Sequence, residues 1–315
     1  MILALTGNLT VKLRKHEDAM TRSPEVERAE ELFRTVFPPR PEETTARFRE
    51  RYDRMLDGFP IDDALPPAEL DLGDVRTVAV GSADGPVVVW LHGGGYVIGS
   101  PEAYLRHAQA IARAIDGLVI LPDYRLAPEH RHPAAVDDAE AVVRAAIERW
   151  GAARVVVAGD SAGGALALAS LLRLRATGAR LPAAAVLYSP LADLTGTASS
   201  LQRVTDDPAV DARSIAMVRR FYLGDVAPDH PEVSPALTDL SGLPPTLVVV
   251  GGHEALLDDA VTTTRALAVG GGAVRLEVAP DMCHVYPLFA AFLPEAQRAL
   301  ELTGTFVREH TAPAS

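Results

Sequence analysis

The chain has 315 residues, 48% hydrophobic and 23% charged, a length that suits one large α/β domain with an accessory segment better than two equal domains. Its formal net charge of -12 argues against a general binder of nucleic acid or of anionic membranes. A single cysteine, Cys283, excludes an internal disulfide and any multi-cysteine metal site and is compatible with a reducing, cytoplasmic home.

Residues 1–19 hold a short apolar run with Lys12, Arg14 and Lys15 after it, the wrong order for a secretory signal, and read as a disordered leader. No apolar stretch approaches the roughly 20 residues that cross a bilayer. From Ser23 to Leu56, Val26, Ala29, Leu32, Phe33 and Val36, then Phe48, Tyr52, Met55 and Leu56, recur at three- and four-residue spacing around Pro38-Pro39-Arg40-Pro41. That pattern predicts two amphipathic helices with a proline hinge, a helical cap segment over residues 20–72.

Residues 73–315 alternate between strand-like and helical stretches. Strands are predicted at Val75–Val80, Val87–Leu91, Leu118–Pro122, Arg154–Ala158, Ala184–Tyr188, Thr246–Val250 and Val274–Val278, after a turn-rich segment from Asp57 to Gly73. Helices are predicted at Ala103–Ile115, Ala134–Trp150, Gly164–Thr177, Ala260–Val269 and Pro294–Glu309. Most central strands are continuous apolar runs, as expected when helices cover both faces. The fold class is therefore α/β, with a mainly parallel sheet sandwiched by helices. One connection, over residues 191–242, is too long for a simple crossover and carries a helical stretch from Asp211 to Leu223. It lies above the carboxyl ends of the strands, where open α/β sheets bind ligands, and with the N-terminal helices it would form a lid.

Gly159-Asp160-Ser161-Ala162-Gly163 joins a predicted strand directly to a predicted helix. Glycine at each flank relieves the crowding of so tight a turn, and Ser161 is left proud of the sheet at a helix N-terminus, where developing negative charge is favoured. Alone, the pentapeptide equally fits a Gly/Ser loop without chemistry. His92-Gly93-Gly94-Gly95 follows the strand Val87–Leu91, and consecutive glycines leave amides unshielded, as an oxyanion hole requires. The expected donors are Gly94, Gly95 and Ala162, with His92, Gly93 and Asp160 in support. A phosphate-binding loop is the competing reading, but no Gly-Lys-Ser/Thr ending and no dinucleotide-binding glycine spacing is present.

A serine nucleophile needs a base and a carboxylate that orients it, in the chain order serine, acid, histidine on this kind of elbow. The loop after Thr246–Val250 supplies Glu254, and the loop after Val274–Val278 supplies His284. Asp258 competes with Glu254 as the acid but reads as the start of the next helix, where a carboxylate suits the dipole. His253 is a weaker rival base, and His16, His107, His130, His132, His230 and His310 read as surface or structural residues. His253-Glu254 lacks the second histidine of a zinc motif, so no metal or other cofactor is expected.

Taken together, His92–Gly95, the segment Asp123-Tyr124-Arg125-Leu126-Ala127-Pro128-Glu129 with Pro133-Ala134-Ala135, the elbow and His284 resemble the hormone-sensitive-lipase-like (bacterial family IV) branch of the α/β-hydrolases. The likeness covers about residues 75–310. It implies an eight-stranded sheet with a helical cap, cofactor-free hydrolysis of short-acyl carboxylic esters, a small-molecule ester as the binding partner, and homodimers through the last strand and helix. Two departures stand out: many members have Asp-Pro-Leu where this chain has Glu254-Ala255-Leu256, and glycine after the histidine where it has Val285. The charges of Asp123–Glu129 are expected to pair with one another beneath the site. The sparse aromatics, 5% of the chain, add to the expectation of short acyl groups. A lactone hydrolase or a natural-product deacetylase with the same three residues, a lyase or cyclase, and a non-catalytic ligand-binding member of the fold are the alternative readings.

Overall fold

The computed structural model describes residues 22–40, 42–59 and 65–313. The leader expected over residues 1–19 lies outside them. The described residues begin with α1 (Pro24–Val36) and α2 (Thr45–Asp57), whose N-caps are Ser23 and Thr44. Each cap side chain accepts the amide three residues on, from Val26 and Arg47, at 3.3 Å, which satisfies one of the donors a helix start leaves free. Then follow β1 (Ala68–Leu72), β2 (Val75–Gly81), β3 (Val87–Leu91), α3 (Pro101–Ile115), β4 (Leu118–Pro122), α4 (Ala134–Trp150), β5 (Val155–Asp160), α5 (Ala162–Ala176) and β6 (Ala184–Tyr188). A long connection carries α6 (Ser199–Arg203) and α7 (Ala212–Val218), the latter extended by a π-helical turn at Arg219–Leu223. The chain closes with β7 (Thr246–Gly251), α8 (Leu257–Val269), β8 (Val274–Ala279) and α9 (Pro294–His310).

The eight strands form one sheet in the order β1-β2-β4-β3-β5-β6-β7-β8. Strand β2 runs antiparallel to both its neighbours, and every pairing from β4 to β8 is parallel. All five residues of β3, β4 and β6, and all six of β5 and β7, are buried, which accounts for their unbroken apolar runs. Helix α3 packs on α9, α4 on α5, and α2 on α3.

Sequence reading misses β1, which lies in the segment taken as turn-rich. Ala68-Glu69-Leu70-Asp71-Leu72 does alternate apolar and polar residues, but the run is only five residues long, pairs only with β2 and fully buries only Leu72, so it does not stand out from the turn residues around it. Several boundaries also move, two of them in the elements that flank Ser161. Arg154 belongs to a 3-10 turn before β5, and α5 begins at Ala162 rather than Gly164. Ser161 therefore stands alone between the last residue of a strand and the first of a helix.

Candidate active site

Ser161 occupies the β5–α5 corner at φ 51° and ψ -119°, a conformation L-residues rarely adopt. The corner closes only because its flanks lack side chains: a Cβ on Gly163 would lie 1.9 Å from the Leu91 carbonyl, and one on Gly159 2.4 Å from the Gly163 carbonyl. Backbone bonds from Ser161 N to Tyr188 O and from Leu191 N to Ser161 O, 2.8 and 2.9 Å, hold the strained residue from the β6 side. Strain of this kind persists only where its surroundings over-determine it.

Glu254 and His284 arrive from the loops after β7 and β8. His284 Nε2 lies 3.1 Å from Ser161 Oγ, and its Nδ1 lies 3.0 Å from Glu254 Oε1. Burial disfavours the charged imidazole, but the hydrogen bond and charge of Glu254 outweigh it and raise the proton affinity of His284 above the ordinary value. Burial pushes the Glu254 carboxyl up in turn, against the bonds from His284 and Ser189 that favour its charged form. Asp258 stands apart on the first turn of α8, accepting the Ser200 amide at 2.8 Å and facing Arg203 at 3.7 Å. His253 turns to Asp206, 2.8 Å away, and to Arg22.

Gly94, Gly95, Ser161 and His284 line one cavity. Among the described residues no backbone acceptor meets the amides of Gly94, Gly95 or Ala162. Gly93 differs: its amide is shared between Asp160 Oδ1 and the Tyr104 hydroxyl, at 3.1 Å each. Asp160 is a hydrogen-bonding hub, as its place in the elbow suggested. It also accepts from Trp90 Nε1 at 3.1 Å and from Tyr104 at 2.7 Å, while burial pushes its carboxyl up to about 6. His92 is buried, driven down to about 4, and stacks on Tyr124 at 4.3 Å between centroids.

The charges of Asp123–Glu129 do not pair with one another. Asp123 faces Arg76, Arg125 grips Asp138, and Glu129 binds Arg49 of α2. The segment supports the site through Tyr124 instead, whose hydroxyl donates to the His92 carbonyl at 2.8 Å. Ser189, which the sequence did not single out, bridges the loops that carry Glu254 and His284. It donates to Glu254 Oε2 at 2.7 Å and accepts the Val285 amide at 3.1 Å. No signal in the sequence marks it, because its role arises only from the place of β6 between β5 and β7 in the sheet.

Of the other histidines, His16 lies outside the described residues. His107 packs edge-on against Trp90 and His310 bonds the Phe306 carbonyl. His132, His230 and Glu232 bring one ligand atom each within 4.8 Å of one another, the one such group among the described residues. Arg173 binds both Glu232 oxygens, at 2.6 and 2.9 Å, and supplies the positive charge a metal would bring.

Residues 88–288 match a family described as alpha/beta hydrolase fold. The chain belongs to that family. An acetyl-hydrolase of Streptomyces hygroscopicus is 40% identical over 299 residues, covering 92% of this chain and 98% of its own. The carboxylesterase/phospholipase LipF of Mycobacterium tuberculosis is 36% identical over 266 residues, covering 80% of this chain and 69% of its own. Among solved structures, an esterase from the bacterial hormone-sensitive lipase family superposes with a TM-score of 0.88 at 40% identity, over 93% of this chain and all of that one. The resemblance to the hormone-sensitive-lipase-like branch of the alpha/beta hydrolases thus holds.

Within this alpha/beta hydrolase, both departures from the familiar pattern have a structural counterpart. Glutamate at 254 reaches His284 as an aspartate would. Val285 sits at φ 43° where a glycine is common, a costly conformation for a β-branched residue, and it lines the cavity beside His284. The cap is richer in aromatics than the composition suggested: Phe33, Phe37, Phe48 and Tyr52 all line the cavity, facing Ile215, Met217 and Val218 of α7.

Proposed function

We propose that this alpha/beta hydrolase is a serine carboxylesterase for short acyl groups, with Ser161 as nucleophile, His284 as general base and Glu254 as its orienting acid. The reading is carried by one observation, the unbroken line from Ser161 Oγ through His284 to Glu254 at 3.1 and 3.0 Å. With Nδ1–H donated to the carboxylate, Nε2 is left to accept the serine proton. Attack on the acyl carbon moves charge to the carbonyl oxygen, and the amides of Gly94, Gly95 and Ala162 would stabilise it, each worth about 10²–10³ in rate. His284 returns the proton to the leaving alcohol, and water then repeats the cycle on the acyl-enzyme.

Cavity size supports the short acyl group. The space beside Ser161 is about 60 Å³. So small a space suits a short acyl group better than a long one. An acetyl group fits, which agrees with the name of the acetyl-hydrolase relative. Replacing Ser161 by alanine is expected to lower p-nitrophenyl acetate hydrolysis by at least about 10³-fold. A Ser161→Ala protein with unchanged turnover would refute the assignment.

Small-molecule esters are thus the expected binding partners, and among the described residues no helix is long and apolar enough to cross a membrane. The edge of β8, which pairs only with β7 among the described residues, supports self-association of two copies.

A further inference from the structure

We propose that Tyr104 is a positioning residue for the loop that offers the Gly94 and Gly95 amides, and that Tyr52 makes this positioning depend on the seating of the cap helix α2. The proposal rests on the esterase reading above, in which those amides bind the oxyanion.

Gly93 heads the loop and is pressed against its support. A Cβ there would lie 2.3 Å from Asp160 Oδ2. Its amide points inward, to Asp160 Oδ1 and the Tyr104 hydroxyl, so the orientation of the next peptides follows from how firmly those two acceptors are held. Asp160 is the residue before the nucleophile, which ties the loop and the serine to one carboxylate.

A count of protons fixes the direction of the chain. A phenol has one proton and two lone pairs. Tyr104 gives its proton to Asp160 Oδ2, at 2.7 Å, the group with no proton of its own to give once ionised. Its lone pairs then accept from Gly93 N at 3.1 Å and from Tyr52 at 2.8 Å, so Tyr52 is the donor in the tyrosine pair. Tyr104 has no capacity left over, and Tyr52, Tyr104 and Asp160 are all buried. The chain Tyr52–Tyr104–Asp160–Gly93 therefore runs from α2, through α3, to the strand end beside Ser161. In such a dry place a lost partner is not replaced by water, and hydrogen bonds in series reinforce one another. Tyr52 also lines the cavity, so the residue that senses the cap touches the substrate space directly.

The test compares the full chain with Tyr104→Phe, Tyr52→Phe and the double variant. It reads p-nitrophenyl acetate kinetics, melting temperature, and inhibition by an alkyl trifluoromethyl ketone, which adds to serine as a tetrahedral oxyanion. Partial loss of donor alignment is expected to lower kcat of Tyr104→Phe about tenfold with KM within about twofold, and to weaken the ketone about tenfold. Tyr52→Phe is expected to lose about threefold in both, and the double variant to be no worse than Tyr104→Phe alone, because the two act in series. A purely structural role would shift melting and KM without selectively weakening the ketone, and would overturn the proposal. So would unchanged kcat and ketone affinity in folded Tyr104→Phe, or losses that multiply in the double variant. If Tyr104→Phe does not fold, Tyr52→Phe decides alone: unchanged kcat and ketone affinity overturn the proposal. A wild-type protein that neither hydrolyses the ester nor binds the ketone would refute the esterase reading itself, a failure separate from either variant's.

Discussion

At the scale of single residues, the chemistry depends on the balance between burial and one carboxylate. In the proposed mechanism His284 is a base only when neutral, and Glu254 raises its proton affinity above the usual value near 6.5. Esterase activity should therefore rise with pH through a midpoint above about 6.5 and level off on the alkaline side. Glu254→Gln removes the group that favours the charged ring and leaves the burial that disfavours it. Its midpoint should move to lower pH, with kcat reduced by about 10²-fold or more through lost orientation of the ring. A pH–rate profile of the variant with an unmoved or higher midpoint would contradict this account of His284. The sequence made these two residues legible because each ends a loop at the carboxyl end of a strand, in the order the elbow demands. It left Ser189 unread, since a lone serine after β6 has no motif. Its role exists only once β6 lies beside β7 and its hydroxyl meets Glu254 and Val285.

At the scale of elements, the two edges of the sheet behave differently, and only one was readable. Strand β1 carries Glu69 and Asp71 at the surface, charges that blunt an edge against further pairing, and its alternation of apolar and polar residues runs for only five positions. Strand β8 alternates, with Val274, Leu276 and Val278 on one face and Val278 left 39% exposed. An unpaired edge of this kind is a template for a second strand. Two copies of the chain are therefore expected to associate through β8 and α9. Sedimentation should give twice the monomer mass for the native chain and the monomer mass for Val278→Arg; a native monomer would refute it. The two N-terminal helices were foreseen from their three- and four-residue spacing, but not their aromatic lining. Phe33, Phe37, Phe48 and Tyr52 look like ordinary core positions in the sequence, and only the packing of α1 and α2 on the main body turns them toward Ser161. Arg49 of α2 shows how that body holds the cap: it bonds the Val97 and Ala127 carbonyls and Glu129.

At the scale of the whole molecule, the parallel sheet brings three distant stretches to one rim. Ser161, Glu254 and His284 end β5, or follow β7 and β8, and the parallel register β5-β6-β7-β8 sets all of their loops on the same side. That arrangement was legible because β5 and β7, covered on both faces, are apolar runs and the edge strand β8 alternates, so that each strand end is marked in the sequence. Less legible was the second network beneath it, where Trp90, Tyr104 and Asp160 meet from β3, α3 and β5. Its members are buried polar groups scattered along the chain with no common spacing. The central claim is that the three rim residues make Ser161 the nucleophile. The most direct measurement is peptide mapping by mass spectrometry after treating the native protein with a serine-directed organophosphonate under conditions where it hydrolyses p-nitrophenyl acetate. One adduct on Ser161, formed in step with loss of activity, is the predicted result; inactivation with the adduct on another residue would contradict it.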